Sequence, residues 1–418
     1  MSVQEKTTPA TQNAEFSATH GEITAALKTA EFGIDPKAPH LAQRGVIIET
    51  ADGQVTFTAH DFDTAVRVTV PCATGRTAGT SLLDHAELSR TLAALVAGEP
   101  KSTATHTPVT LTGDVLAAGA MAVPVTRYDL SSYPPAATPT PAQITVDGPT
   151  LLAQITRVLP AVGTDDTLPT LTGVQFTAAA DSLALAATDR YRFAVADVPT
   201  QSVPDTAALP DDMNVPGHVL RRLTTPLKSH PGPVGIGVCE SGDYATFTLG
   251  QVTLTTRLLD GRLPRYNKLF PKQAAASLQI GRAALVNATK KCSAIIKAKR
   301  EDKLTPVSLL WDRDGNLTLA PALSEAADRA RLKGAPLPFT AVGGDVTELH
   351  RSFQSLNHAY LADALACFTG DTVTFHLPGA EEGQGLRKPI TVTDGPDIHG
   401  EGYSHLLMPV RLDHTWDL

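Results

Sequence analysis

Residues 45–71 read GVIIETADGQVTFTAHDFDTAVRVTVP, and residues 173–199 read GVQFTAAADSLALAATDRYRFAVADVP. The two align without a gap: Gly45/Gly173, Val46/Val174, Ala51/Ala179, Ala59/Ala187, Asp61/Asp189, Val70/Val198 and Pro71/Pro199 are identical. A third, fainter copy starts at Val307, where VSLLWDRDGNLTLAPA keeps the order of strand, Asp-Gly turn and strand. Self-similarity at such a period signals tandem units of one supersecondary plan. Outside these copies, apolar residues recur at helical spacing in 21–32, 149–162 and 281–298, and again in 83–97, 216–229 and 357–368. Alternating stretches such as VTFTA, LALAATD and VTLTTRLL read as strands with one face turned to a core.

Each unit is therefore α+β, two helices packed on antiparallel strands. The Pro-rich PPAATPTPAQ at 134–143 reads as a first linker and PRYNKLFPKQ at 264–273 as a second. The chain then divides into an N-terminal tail (1–15), three tandem similar domains (16–138, 139–271 and 272–412) and a C-terminal tail (413–418).

Composition narrows the function. With 42% hydrophobic and 19% charged residues, the 418-residue chain can bury more than one core. Its 31 Gly and 31 Pro favour many short strands and turns. A net charge of -8 argues against a wholly basic nucleic-acid binder, but not against a basic face on an acidic body. Cys72, Cys239, Cys292 and Cys367 are far apart and read as free thiols of a reducing, cytoplasmic compartment. No apolar run approaches the ~18 residues of a membrane span, and residues 1–15 lack the apolar stretch of a signal peptide.

Enzyme motifs are weak. Asp61 with Asp63, and Asp165 with Asp166, are paired carboxylates, and His399, Glu401 and His405 lie close in DIHGEGYSH. Asp61 and Asp189 are equivalent repeat positions, however, which points to turn-forming residues, and the His-rich segment lacks HExxH spacing. There is no GxxxxGK[ST] loop and no GxSxG elbow. The expectation is a non-catalytic protein with no metal and no cofactor.

Three dispersed segments, TDDTLPTLTGVQF…LAATDRYRFAV, LLDGRLPRYNKLFP and HLLMPVRL, resemble in order and spacing the signatures of the bacterial DNA polymerase III β sliding clamp family. The resemblance runs from about residue 16 to 412. It implies the DNA clamp fold, with a head-to-tail homodimer closing into a ring of six similar domains, helices inside and sheets outside. Twelve helices at axis separations of roughly 8 to 10 Å and helix diameters of about 10 Å would leave a hole on the order of 20 to 28 Å, wide enough for a duplex.

Further expectations follow from the resemblance. Sequence-independent contact with encircled double-stranded DNA would fall to basic residues on or beside the helices, Lys28, Arg90, Arg157, Arg221, Arg222, Lys228, Lys290, Lys291 and Lys297, with Lys299 and Arg300 beyond them. A groove for a short, partly apolar peptide would comprise Leu171, Thr188, Arg190, Phe193, Pro264, Lys268, Leu269, Asn357, Tyr360, Pro389, Met408, Pro409, Val410 and Arg411. Its partners would be the polymerase III α subunit, the clamp loader δ subunit, and other polymerases and repair proteins. Ring closure would use Val123 and Val125 against Ile295 and Ile296.

Some features depart from the family pattern. Leu168 stands where some members carry a groove-rim Arg, Asp35 and Asp165 occupy loops where Arg or Gln is frequent, and DHTWDL, with Trp416, follows the usual terminal Arg-Leu. They leave room for a specialised paralogue (an antibiotic-resistance, phage or plasmid copy) or a non-ring peptide-binding adaptor beside the replicative clamp.

Overall fold

The computed structural model describes residues 13–74, 78–133, 135–179, 181–202, 209–210, 212–264, 269–347, 349–379, 388–400 and 402–412. Among these residues the helices are α1 (His20–Ala30), α2 (His85–Leu95), α3 (Lys101–Ala104), α4 (Gly148–Val158), α5 (Gly217–Lys228), α6 (Arg282–Ala298), α7 (Ala326–Arg331) and α8 (His358–Ala366). The six longer ones occupy the segments whose apolar spacing predicts helix. Their buried residues keep that spacing: Ile23, Ala26, Leu27 and Ala30 on α1, and Leu285, Thr289, Cys292 and Ile296 on α6. Local chemistry sets where several begin. Thr19 and Glu22 form a reciprocal capping box on α1, Asp84 accepts from the Glu87 N–H at the start of α2, and Asn357 accepts from the Ala359 and Tyr360 N–H groups at the start of α8. The short α3 and α7 carry too few turns to show a period.

Two compact units result, and their borders cross the segment 139–271. The first comprises Met1–Pro149, Gln201–Leu209 and Arg222–Leu258. One of its antiparallel sheets has the order Ala73–Thr74, Glu15–Thr19, Pro108–Thr112, Val115–Ala118, Met121–Pro124. A longer one runs Arg127–Tyr128, Gly79–Asp84, Gly45–Ala51, Gln54–His60, Thr64–Pro71, Val252–Arg257, Tyr244–Leu249, Pro233–Val238, Ile144–Asp147.

The second unit comprises Thr150–Thr200, Pro210–Arg221 and Leu259–Leu418. Its long antiparallel sheet runs Met213–Pro216, Gly173–Ala178, Ser182–Thr188, Arg192–Ser202, Tyr403–Leu407, Ile390–Thr393, Thr372–Leu377, Ala276–Gly281, Leu337–Gly344. The start of Leu337–Gly344 also pairs with Asn316–Pro321, which continues to Pro306–Trp311 and Phe353–Asn357.

The repeat holds at the level of register. Gln54 faces Pro71 and His60 faces Ala65 in the first copy, and Ser182 faces Pro199 and Thr188 faces Phe193 in the second, the same pairs 128 residues on. Each hairpin turns through a non-glycine residue in the left-handed region, Phe62 (φ 75°) and Arg190 (φ 81°). That conformation costs roughly 1 to 2 kcal/mol. In both copies the preceding Asp offsets it by closing the loop: Asp61 Oδ1 accepts from the Thr64 N–H at 2.8 Å, and Asp189 Oδ1 from the Arg192 N–H at 3.0 Å.

The Pro-rich stretch departs from its reading as a loose linker. The Thr140 N–H donates to Thr246 Oγ1 at 3.0 Å, and the Gln143 amide brackets Val238, donating to its carbonyl and accepting from its N–H. A Cβ on Gly237 would lie 2.1 Å from the Pro141 carbonyl oxygen, so glycine there lets the strap lie directly on the sheet. The Pro-rich segment is held against a strand here.

Candidate functional site: an arginine-rimmed apolar cavity

Within the second unit, the hairpin turn at Arg190 meets a short 3-10 turn at Pro169–Thr172 and the chain beyond Tyr403–Leu407. Between them opens a cavity of about 810 Å³, lined by Thr167, Leu168, Pro169, Thr170, Leu171, Thr188, Arg190, Arg192, Phe193, Arg262, Pro264, Leu269, Pro389, Leu406 and Met408. A smaller one of about 230 Å³ adjoins it, shares Leu168, Leu171, Arg190 and Arg192, and ends at Tyr360. The floor is core. Phe193 and Leu406 belong to a buried cluster with Ala186, Val195, Leu263 and Phe270, against which Leu171 packs. The Phe193 ring stands edge-on to Phe270 at 6.0 Å. At the mouth, Leu269 is 47% and Met408 41% exposed, an apolar rim left to solvent.

Polar contacts hold each wall. The Leu263 N–H donates to Gln175 Oε1, Gln175 Nε2 donates to Asp212, and Arg262 pairs with Asp212 at 3.0 Å, which places Pro264. The Lys388 carbonyl accepts from Gln354 Nε2 next to Pro389. Met408 is anchored by its N–H to the Tyr191 carbonyl, and Val410 by its N–H to the Ser355 carbonyl.

Charge is unevenly committed around the rim. Arg192, 9% exposed, donates to Asp189 at 2.9 Å and to Asp363 at 2.7 Å, with its guanidinium 4.4 Å above the Tyr360 ring. Tyr360 stacks on Tyr191, and burial pushes its phenol above the usual range. Asp165 lies below the usual carboxylate range because the Thr167 hydroxyl and N–H donate to it, with the charge of Arg190 adding to the effect. Among the described residues Arg190 forms no ion pair.

Of the residues carried over from the resemblance, Leu171, Thr188, Arg190, Phe193, Pro264, Leu269, Pro389 and Met408 line the large cavity and Tyr360 the small one. Asn357 caps α8, Pro409, Val410 and Arg411 follow Met408 along the chain, and Lys268 lies outside the described residues. Sequence reading missed Arg192, Arg262 and Leu406. Arg262 finds Asp212 across 50 residues, which no local spacing could signal.

The basic set divides. Lys28, Arg90, Arg221, Lys228, Lys290, Lys291 and Lys297 are exposed. Two others are partly buried and bonded within the protein. Arg157 is a partly buried strut: its Nε donates to the Cys367 carbonyl at 2.8 Å, its Nη2 lies 3.5 Å from Asp394 and its guanidinium sits over Tyr403. Arg222 is half-buried, donating to the Phe32 carbonyl at 2.7 Å. Farther along, Lys299 pairs with Asp328. The residues expected at ring closure divide in the same way. Val125 and Ile296 are buried, whereas Val123 and Ile295 are half-buried.

Among the described residues the carboxylate and His-rich candidates do not assemble. Asp61 closes a turn, Asp63 faces Arg257, His399 sits in a surface turn, His405 is fully buried against Tyr403, and Glu401 lies outside the described residues. Among the described residues no group of three or more His, Cys, Asp or Glu is placed to hold a metal ion.

Comparison with known proteins agrees with this geometry. Residues 145–265 match the family model described as DNA polymerase III beta subunit, central domain. The chain is 29% identical over 392 residues to a beta sliding clamp of Streptomyces coelicolor, covering 90% of this chain and 93% of that protein. It is 26% identical over 380 residues to the beta sliding clamp homolog GriR of Streptomyces muensis, covering 91% and 94%. A crystal structure of a C. crescentus beta sliding clamp superposes with a TM-score of 0.78 at 19% identity, over 96% of this chain and 100% of that one. Residues 145–265 thus carry the central domain of the DNA polymerase III beta subunit, and the chain is similar along most of its length to beta sliding clamps, whose fold it shares.

Proposed function

We propose that this chain closes with a second copy into a ring around duplex DNA and tethers a replicative polymerase, raising its processivity. The cavity carries the reading: an apolar, core-backed opening with an arginine rim suits a short peptide with one or two apolar anchors. The polymerase α subunit, the clamp loader δ subunit and other polymerases and repair proteins are the partners this predicts, in the cytoplasm and on the nucleoid. Three tandem clamp domains per chain, six per ring, fit the repeated hairpin register. Met121–Pro124, at the edge of its sheet among the described residues, is the strand that would meet the second copy, with Val123 beside it.

Loading on a nicked circular duplex tests enclosure. The ring is expected to stay on the circle at ~1 M salt, where the screening length is about 3 Å, and to leave once the circle is cut. Equal loss from circular and linear DNA sinks the reading.

Contact with DNA is assigned to the outer stripe of α6, where Lys290, Lys291 and Lys297 are exposed while the opposite stripe is buried. Replacing the three by Ala is expected to flatten the dependence of log K on log salt by about 0.9 per lost phosphate contact, about 2.7 per chain. An unchanged slope on a short linear duplex removes α6 from the DNA face.

The similarity to GriR favours a second reading, a specialised clamp paralogue serving beside a replicative clamp. Primer extension on circular DNA with a clamp loader and a replicative polymerase separates the two. Long products support the replicative role; a ring that loads without lengthening products supports the paralogue.

A further inference from the structure

We propose that the cavity beside the turn at Asp312–Asn316 is a nucleotide site, which holds a phosphate on Arg313 and Arg351 and an unpaired base on Phe339. The cavity lies in the second unit and measures about 430 Å³, within the size range of small-molecule sites. It shares no lining residue with the arginine-rimmed opening, so the inference stands apart from the groove reading.

One wall is a hairpin turn. Asp312 Oδ1 accepts from the Asn316 N–H at 2.8 Å and the Asp314 N–H at 2.9 Å, and Oδ2 accepts from Asn316 Nδ2 at 2.9 Å. Those bonds commit the carboxylate that lines the cavity to its own turn, with Arg313 carried at the tip. The Gly315 carbonyl accepts from the Phe339 N–H at 3.0 Å, which fixes the turn against the start of Leu337–Gly344. Opposite stand Val346, Thr347, His350 and Arg351. Their loop closes on itself: the Leu349 N–H donates to the Val346 carbonyl and His350 Nδ1 to the Thr347 carbonyl, each at 3.1 Å.

These walls suit a phosphate. Arg313 is exposed and forms no ion pair among the described residues. A carbonyl oxygen only accepts, so the His350 ring proton sits on Nδ1. Its Nε2 is then a buried polar atom with no hydrogen-bond partner among the described residues, of the kind that an ion or ligand completes. It can accept from the hydroxyl of a monohydrogen phosphate, or donate to a phosphate oxygen once protonated. Two guanidinium forks and an imidazole address more oxygens than the pair on a carboxylate, and a terminal phosphate offers three.

The apolar part asks for more than a bare anion. Phe339 and Val346, both half-buried, form a wall that inorganic phosphate would leave uncovered. A nucleobase stacks on an aromatic face whatever its identity. A paired base is held between its neighbours in the duplex, so the ligand is a free nucleotide or an unpaired nucleotide of a single strand.

Isothermal titration of the full chain tests this with dAMP, deoxyadenosine, inorganic phosphate, a short oligo-dA strand, the same strand paired with oligo-dT, and a phosphoserine peptide. dAMP is expected to bind about tenfold more tightly than deoxyadenosine or inorganic phosphate, each of which lacks one half of the contact. Arg313→Glu is expected to weaken dAMP about tenfold, with Arg313→Gln as the second variant if the charge reversal disturbs the turn. Arg331→Glu, an equal charge change on the exposed end of α7, is expected to leave dAMP binding unchanged. Phe339→Leu keeps an apolar side chain without the flat ring and is expected to bring dAMP down to the affinity of inorganic phosphate. Tighter binding of the strand than of dAMP identifies the single strand as the source, and the reverse identifies the free nucleotide; both support the site. No binding of dAMP or the strand, an equal loss in Arg331→Glu, or inorganic phosphate as tight as dAMP overturns the inference. So does duplex binding as tight as that of the single strand with the same dependence on Arg313, or a phosphoserine peptide that displaces dAMP at lower concentration.

Discussion

Between pH 6.5 and pH 4 the second unit is expected to lose as much as about 7 kcal/mol of stability, at about 1.4 kcal/mol per pH unit for each of two histidines. His376 and His405 are buried on the two strands, Thr372–Leu377 and Tyr403–Leu407, that flank Ile390–Thr393. Burial pushes His376 down to about 4 and, with the charge of Arg192 adding, His405 down to about 3. Hydrogen bonding fits neutral rings. His376 lies 2.9 Å from Ser277 Oγ and 2.8 Å from Thr393 Oγ1, whose own hydroxyl donates to the Gly395 carbonyl. The His376 Nε2–H therefore donates to Thr393, and Nδ1 accepts from Ser277.

An unfolded chain takes up protons near pH 6.5 at both side chains, whereas the folded unit resists until about pH 4 and 3. Stability is therefore fully present above pH 6.5 and falls with pH through that window. Asp197, which burial holds above the usual carboxylate range, works in the opposite sense and softens the fall. A loss of this size is comparable with the whole stability of many domains, about 5 to 15 kcal/mol. Denaturant melts from pH 7 to pH 4 check it. His405→Phe, which also removes the unpartnered His405 Nε2, is expected to make the pH dependence shallower by one proton. An unchanged acid midpoint in both His405→Phe and His376→Asn would place the proton uptake elsewhere.

Phe193→Ala is expected to cost about 3 to 5 kcal/mol in unfolding free energy, as deletion of a buried aromatic ring does. The ring is 2% exposed and meets Phe270, Leu263, Leu406 and Ala186 on one side while forming the cavity floor on the other. Stability and peptide affinity should therefore fall together. Met408→Ala is a useful contrast, because its 41% exposed side chain contributes to the mouth more than to the core. If Phe193→Ala unfolds within about 1 kcal/mol of the parent, the floor of the cavity is not part of the core and its geometry needs revision.

Much of the architecture was legible because it is written at short range. A helix buries one stripe and a strand one face, so Leu285, Thr289, Cys292 and Ile296 announce α6 by spacing alone. The repeated Asp of the hairpins was legible as a turn residue because both copies carry it, and in each it accepts the backbone N–H three residues on. Cavity residues such as Leu171, Phe193 and Met408 were found through the family resemblance, since nothing in their local spacing separates a cavity wall from a core.

Charges were the hard part. A basic residue on a helix reads the same whether it faces solvent or reaches into the protein, and Arg157 and Lys290 differ only in what lies opposite. Arg157 meets the Cys367 carbonyl, Asp394 and Tyr403 from segments more than 200 residues away, and Lys290 meets solvent. Val125 and Ile296 were likewise apolar residues in suitable places whose surface proved already covered.

The amino-acid sequence by itself determined the α+β repeat, the six longer helices, the left-handed hairpin turns' closing aspartates and the family resemblance, because propensity, periodicity and turn chemistry act over a few residues. Tertiary structure alone decided that Thr140–Gln143 straps a sheet, that Arg157 and Arg222 donate to distant backbone carbonyls, and that Arg190, Arg192 and Arg262 gather around one apolar opening. Those outcomes depend on which distant segments come to share a surface. Burial and ion pairing are properties of that shared surface, not of any stretch of chain.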